Sequence, residues 1–514
     1  MGKSSVSLLP RAPRTVPRRW RTWLTGFLVG ATLGTVVLTT WPWPTTIVSL
    51  PGTPNTFTDN PSGQFLHISD IHVDAHYRQG ATLDSYCHRH AKHSDDEDSE
   101  SVGRFGAPVS SCDSPVKLVD ITFHWLKRTL AADLDFVLFT GDSARHERDD
   151  RLPRSVDEVV MLNRYVASRF LALFHPDVTP VIHVVGNNDV EPHNLMEPGP
   201  NPMLQGLYEA WQEYIPIDQK DLYLTMGYYR RILQPGKLLV AALNTQWFHS
   251  SNDAVGACRK ADHPGAQQLV WLQDILEQAQ STGAQVIIAG HVAPEFDDYY
   301  NSCYKRYSRL VVKYRDVIQG QLFGHNNKDH FYFLANDADS RRPNVKNALL
   351  PTALDANDNL PDVSIQKGVP SLIKELMKHY KRVWADRKTT QYSVVNISPS
   401  IIPTYNPTLR KYRYVTGSTS PQFKRPYGTL LDYDQYWLNL TDANEQFTEL
   451  GSPLYEPDFE FLYSARQQYN MPDLTTESYL DLAYRITQNK TLRREYAEFL
   501  CVMTNLHGGA YNDA

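Results

Sequence analysis

Five short apolar runs in this chain each stop at a polar cluster, and the order of those clusters limits the folds open to it. QFLHISD leads to Asp70-Ile-His72, DFVLFTGD to Gly141-Asp142-Ser-Ala-Arg-His146, and VIHVVGNND to Gly186-Asn187-Asn188-Asp189. QVIIAGH ends on Gly290-His291, and GQLFGH on Gly324-His325-Asn326-Asn327. A β-rich run that halts at a polar turn reads as a buried strand. Helical stretches lie between them, notably VKLVDITFHWLKRTLAA, SVDEVVMLNRYVASRFLALF and GAQQLVWLQDILEQAQSTG, the last closing on Thr-Gly. Such alternation predicts a layered α/β architecture, in which ligands gather at the C-terminal ends of strands. One cluster alone would be an ordinary surface turn; five in succession form a constellation.

The N-terminus carries a different signal. Residues 1–22 hold six basic side chains and no acid, although the net charge of the whole chain is −6. The remainder is therefore strongly acidic, which argues against broad nucleic-acid binding. Trp23-LTGFLVGATLGTVVLTT-Trp41 is uncharged and matches the roughly 20 residues of a membrane span. The preceding arginines place the N-terminus in the cytosol and everything beyond the span on the lumenal or external side. Gly26, Gly30 and Gly34 have the spacing that could pair such helices into a homo-oligomer. On the far side, Asn396, Asn439 and Asn489 begin glycosylation sequons. Five cysteines are compatible with one or two disulfides, with Cys87 and Cys112 flanking an acidic, serine-rich loop. The expected organisation is a basic tail (1–22), a transmembrane signal anchor (23–41), a linker (42–63), a catalytic domain (64–430) and a helical C-terminal extension (431–514). Polar insertions are expected near 80–114 and 335–375.

The order DxH, GD, GN, GH, GHx(H/N) resembles that of the calcineurin-like metallophosphoesterases. GDSARH, GNND, IIAGHVAP and SPSIIPTYNPTLRKYRY are similar to the acid-sphingomyelinase-like branch of that superfamily. With GHNNKDHF and the N-terminal anchor, the similarity is greatest to the fungal vacuolar endopolyphosphatases, over residues 64–415. The resemblance implies a metallophosphoesterase β-sandwich flanked by helices and a pair of divalent cations about 3.5–4 Å apart. Asp70 and His72 would hold the first ion, Asp142 would bridge, and Asn187, His291 and His325 would hold the second. Carboxylate, amide and imidazole without thiolate suit Mn, Mg, Co, Zn or Fe without choosing among them. The family's last motif commonly ends in His, where unbroken alignment puts Asn327; His330 could substitute if the loop bends.

A second departure is Asn188, where many relatives have a histidine that protonates the leaving group. Asparagine can bond a phosphoryl oxygen but is no acid. His146 matches the histidine of GDxxxH and is the candidate acid, or else a surface-turn histidine. Lys305, Arg306 and Arg309 lie on a basic helix that could track a polyanion, or form an ordinary solvated face. His67 and His183 read as packed strand residues, and His88, His90 and His93 as members of a solvated loop. The implied activity is hydrolysis of internal phosphoanhydride bonds of inorganic polyphosphate by a water activated between the ions, at a vacuolar membrane, with the catalytic domain lumenal. Two other readings stay open: a sphingomyelinase-like phosphodiesterase acting on a lipid or nucleotide, and a non-catalytic receptor on the same fold.

Overall fold

From Phe65 onward the run SGQFLHI is covered on both faces, which only a central strand tolerates. This computed structural model describes residues 62–91, 101–295, 298–336, 361–417 and 425–504. The first strands are β1 (Ser62–Ile68), β2 (Val73–Asp74), β3 (Ser114–Pro115), β4 (Phe136–Phe139), β5 (Val181–His183), β6 (Tyr229–Gln234) and β7 (Leu238–Ala242). There follow β8 (Gln285–Ala289), β9 (Ile318–Phe323), β10 (His330–Ala335), β11 (Tyr392–Ile397), β12 (Thr408–Val415), β13 (Leu430–Trp437) and β14 (Glu460–Ser464).

One sheet has the order β14-β13-β12-β1-β4-β5, the other β10-β11-β9-β8-β7-β6. In the first, β1, β4 and β5 run parallel; in the second, β7, β8 and β9 do. Parallel neighbours need long crossovers, and helices supply them: Val116–Thr129 before β4, Val156–Leu171 before β5, Pro264–Thr282 before β8 and Asn301–Lys313 before β9. Their ends follow local rules. Ser155 caps the second of these helices by accepting from the Glu158 amide. Gly283, at φ 77°, closes the third where the Thr-Gly pair predicted a stop. Apolar residues of both sheets, such as Phe65 and Phe139 with Val240 and Ile287, belong to one continuous core. All five clusters are thereby delivered to C-terminal ends of parallel strands.

Several expectations change. The boundary expected at residue 430 falls inside β13, which pairs with β12 along its length, so the C-terminal region completes the first sheet. The expected insertion at 335–375 is in part core: its residues 337–360 lie outside the described set, but the helix Pro361–Asp386 buries Val369, Leu372 and Ile373. Cys87 and Cys112 do staple the base of the first insertion, and Cys258 pairs with Cys303. His88 is buried, held between Asp74 at 2.8 Å and Asp149 at 2.6 Å, and so is no solvated loop residue. His90 bonds the Gly80 carbonyl, and His93 lies outside the described residues. The expected anchor at 23–41 also lies outside them; among the described residues no helix is long and apolar enough to cross a membrane.

Candidate metal centre

The turns after the strands are tightly stitched. The amides of Asp70 and His72 donate to the carbonyls of Gly141 and Asp142 across the β1–β4 pair, each at 3.0 Å. Asp70, His72, Asp142, His325 and Asn327 all adopt positive φ, between 44° and 71°. Left-handed backbone at non-glycine residues costs about 1–3 kcal/mol each and survives only where surrounding contacts enforce it. Here it gathers on the candidate ligands. Two of the motif glycines are steric necessities: a Cβ at Gly186 would collide with the Asp142 carboxylate, and one at Gly324 with Ser69 and Asp70.

At the centre, Oδ2 of Asp142 lies 3.2 Å from Nε2 of His72 and 3.1 Å from Nε2 of His291. The other nitrogen of each ring faces a backbone carbonyl, Ala144 at 3.0 Å and Thr140 at 2.7 Å respectively. A carbonyl only accepts, so each Nδ1 carries a proton and each Nε2 faces inward, with a lone pair for a cation once its own proton has left. The His291 Nε2 also meets Oδ1 of Asn187 at 2.8 Å and Nδ1 of His325 at 3.3 Å. Asp70 stands 3.7 Å from the His72 Nε2. Lone pairs thus converge from several sides on Asp142, and a cation is the partner they share. Two sets meet this description, Asp70–His72–Asp142 and Asp142–His291–His325, each with its ligand atoms within 4.8 Å of one another. The buried Oδ1 of Asn327 has no hydrogen-bond partner among the described residues, as an oxygen reserved for a metal would not.

Electrostatics say the same. Burial opposes charge on His72, yet the Asp142 charge and hydrogen bond raise it to about 10. His291 is likewise raised to about 9 against burial, chiefly by Asp142. Burial works against the Asp142 anion too, but the two imidazoles hold its carboxyl well below the usual range. In the metal-free chain a proton on each Nε2 occupies the place of a cation.

The structure supplies two acids that linear reading did not single out. Asp189, the last residue of GNND, is fully buried and accepts from the amides of Asp142 and Ser143 at 2.8 Å and Gly186 at 3.0 Å. Its carboxylate thus ties the second cluster to the third. Asp113 lies 2.7 Å from Nδ1 of His146 and accepts its backbone N–H at 2.8 Å. Its position beside disulfide-bonded Cys112 was the only available hint, and no motif spacing links it to His146. The His146 ring stacks on His72 with centroids 4.3 Å apart. His72, Asp113 and His146 also lie close enough to form a third ligand group. The His72 Nδ1 faces the Ala144 carbonyl and its Nε2 already serves the Asp70–His72–Asp142 set, so the ring has no atom left for a third site. His146 borders the centre as a neighbour, oriented by Asp113.

Other sequence-derived candidates are placed differently. His330 does not reach the centre: Nδ1 lies 3.2 Å from the Lys328 carbonyl and Nε2 3.7 Å from Glu295, because the ring belongs to the first residue of β10. The His330 Nε2 and the Asn327 Oδ1 are both without a hydrogen-bond partner among the described residues, but the His330 Nε2 faces Glu295 and belongs to none of the ligand groups. Asn188 turns inward, with its amide groups donating to both Asp142 oxygens at 2.8 Å. It braces the Asp142 carboxylate from the side of the third cluster. On the helix Asn301–Lys313, Arg306 donates to the Cys258 carbonyl, Lys305 is half-buried and Arg309 exposed. Of the sequons, Asn396 is buried within β11 between two paired strands and is closed to a glycan in the folded chain. Asn439 and Asn489 cap helices at the surface, and Asn489 is exposed. His67 and His183 are packed strand residues, as expected.

The calcineurin-like phosphoesterase family matches residues 63–328. The endopolyphosphatase of Cryptococcus neoformans var. neoformans serotype D is 35% identical over 437 residues, covering 76% of this chain and 63% of that one. That of Yarrowia lipolytica is 32% identical over 420 residues, covering 69% and 56%. That of Schizosaccharomyces pombe is 30% identical over 497 residues, covering 82% and 83%. The chain thus spans less than two thirds of the first two relatives and most of the third.

Proposed function

This chain belongs to the calcineurin-like phosphoesterases, and from that premise we propose that it is a metal-dependent hydrolase cutting internal phosphoanhydride bonds of inorganic polyphosphate. The observation that carries this is the pair of inward Nε2 atoms, on His72 and His291, facing one oxygen of Asp142. Asp70, His72 and Asn327 would hold one divalent cation, Asn187, His291 and His325 would hold a second, and Asp142 would contribute to both. Cations held there would supply Lewis acidity, lowering the pKa of a nearby water and offsetting charge on phosphoryl oxygens. The protein's part is to keep every donor aimed before substrate arrives, which the strained turns, Asn188 and Asp189 accomplish.

The leaving group bears on the substrate. Burial, with Arg148 nearby, lowers the His146 pKa to about 4, so the ring is largely neutral above that pH. A phosphoanhydride departs as phosphate and asks little of an acid, whereas an alkoxide would ask much. The endopolyphosphatase relatives support the same substrate. The segment 23–41 acts as a single signal anchor in the vacuolar membrane, with the catalytic domain lumenal and Asn489 the most open glycan acceptor.

The test is gel analysis of long-chain polyphosphate over time, with Mn, Mg, Co and Zn varied and Asp142→Ala as control. Early products of intermediate length, absent in the variant, are expected. Intact polyphosphate with every metal, or faster release of phosphocholine from sphingomyelin, would replace this reading with another.

A further inference from the structure

The amide of Asn187 presents a choice that its own side chain cannot make. An asparagine amide turned by half a revolution exchanges an acceptor for a donor. Only one orientation puts Oδ1 where it stands, 2.8 Å from the His291 Nε2 and 3.0 Å from the His325 Nδ1. The opposite orientation would aim N–H groups at the centre and exclude a cation.

What selects the orientation lies on the outer side of the amide. Nδ2 of Asn187 sits 2.8 Å from Nε2 of His193 and 3.0 Å from Oδ1 of Asn194, so both of its hydrogens have acceptors. His193 can accept only if its proton is on the other nitrogen. That nitrogen, Nδ1, lies 2.5 Å from Oε1 of Glu147, and a carboxylate accepts but does not donate. Glu147 belongs to the turn after β4, while Asn187 and His193 belong to the turn after β5, so the chain of contacts crosses between two clusters.

We propose that Glu147 and His193 form a positioning relay that locks the His193 tautomer and thereby the Asn187 amide, with Oδ1 directed at the second cation. The proposal rests on the two-cation reading above. Outer partners of this kind orient metal ligands elsewhere, and their loss typically costs about 10–100-fold in metal affinity or activity. Neither Glu147 nor His193 touches the cation or the substrate in this scheme; both act through Asn187.

The experiment is a Mn²⁺ titration of the purified chain followed by electron paramagnetic resonance, with thermal melts as a folding check. The wild type is expected to bind a pair of ions. His193→Ala should weaken one of them by about 10–100-fold and leave the other unchanged. Glu147→Ala, at a partly exposed side chain, should act in the same direction with a smaller loss. In an Asn187→Asp background there is no amide to orient, so adding His193→Ala should cost nothing further. Unchanged affinities in His193→Ala, equal weakening of both ions, or an undiminished cost in the Asn187→Asp background would each overturn the relay. A wild type that binds no ion pair would overturn the two-cation reading itself, and the relay with it.

Discussion

Two pairs of buried histidines, one inside strands and one just beyond strand ends, behave in opposite ways. His67 in β1 and His183 in β5 are 0% exposed, and His72 and His291 are 1% and 0% exposed. Burial lowers His183 to about 3, and burial with Arg410 nearby does the same to His67. The other two rise to about 10 and 9 despite equal burial, because the Asp142 carboxylate lies against both rings. His72 follows His67 by only five positions. Burial is therefore not what marks a ligand; an acceptor-rich cluster around the ring is.

The severest way to break this contrast is Asp142→Asn. Without the carboxylate the main opposition to burial is gone and only Asp70, Asp113 and the Thr140 carbonyl still favour charge, so both His72 and His291 should fall from their raised values towards the usual 6.5 in the metal-free chain, as read by NMR titration of the ring protons. Polyphosphate cleavage should drop by at least about 10²–10³-fold, the scale for losing a central electrostatic element. Rings that stay near their present values would shift responsibility to Asp70.

Metal addition tests the same pair more gently. At pH 7 both rings hold a proton on Nε2, and Mn²⁺ must displace it, so binding should release protons and tighten as pH rises towards 9. Calorimetry in buffers of different ionisation enthalpy reads this directly; binding without proton release would contradict the raised values of His72 and His291. In the metal-free chain the raised values add stability that is full below pH 6.5 and lost as pH rises through about 9 and 10.

The smallest effect belongs to the packed pair. His183 stacks on Trp211 at 4.1 Å, with neither ring nitrogen hydrogen-bonded among the described residues. Its folded value lies below the usual 6.5, so the folded chain binds fewer protons, and stability falls as pH drops from 6.5 towards about 3. His183→Phe should keep the stack, retain metal binding and lose less melting temperature than the wild type between pH 7 and pH 4. An unchanged acid sensitivity would show that other groups dominate it.

Much of the centre was legible because each ligand follows an apolar strand, and strand ends are where parallel α/β sheets collect ligands. The pairing of Cys87 with Cys112 was settled only by the fold, whereas the strands β1, β4, β5, β8 and β9 and their crossover helices follow from local pattern. The sheet role of β13 and β14 did not, since DYDQYW and EFLYS become strands only by pairing with β12 and with each other. Asp113, His88 and His193 were equally hidden, because their partners lie 33, 61 and 46 residues away along the chain.

By itself, the sequence determined which chemical groups this protein brings to strand ends and in what order, because hydrophobic periodicity and turn residues are local properties. It also determined that Asn stands where His is usual at 188 and 327. Tertiary structure decided what those groups became. It aimed Asn188 at Asp142, left the Asn327 oxygen uncommitted, kept His330 in a strand and set the tautomers of His72 and His291 by two backbone carbonyls. Hydrogen-bond partners and electric fields depend on distances of a few ångströms between segments far apart in the chain, and no local pattern encodes those distances.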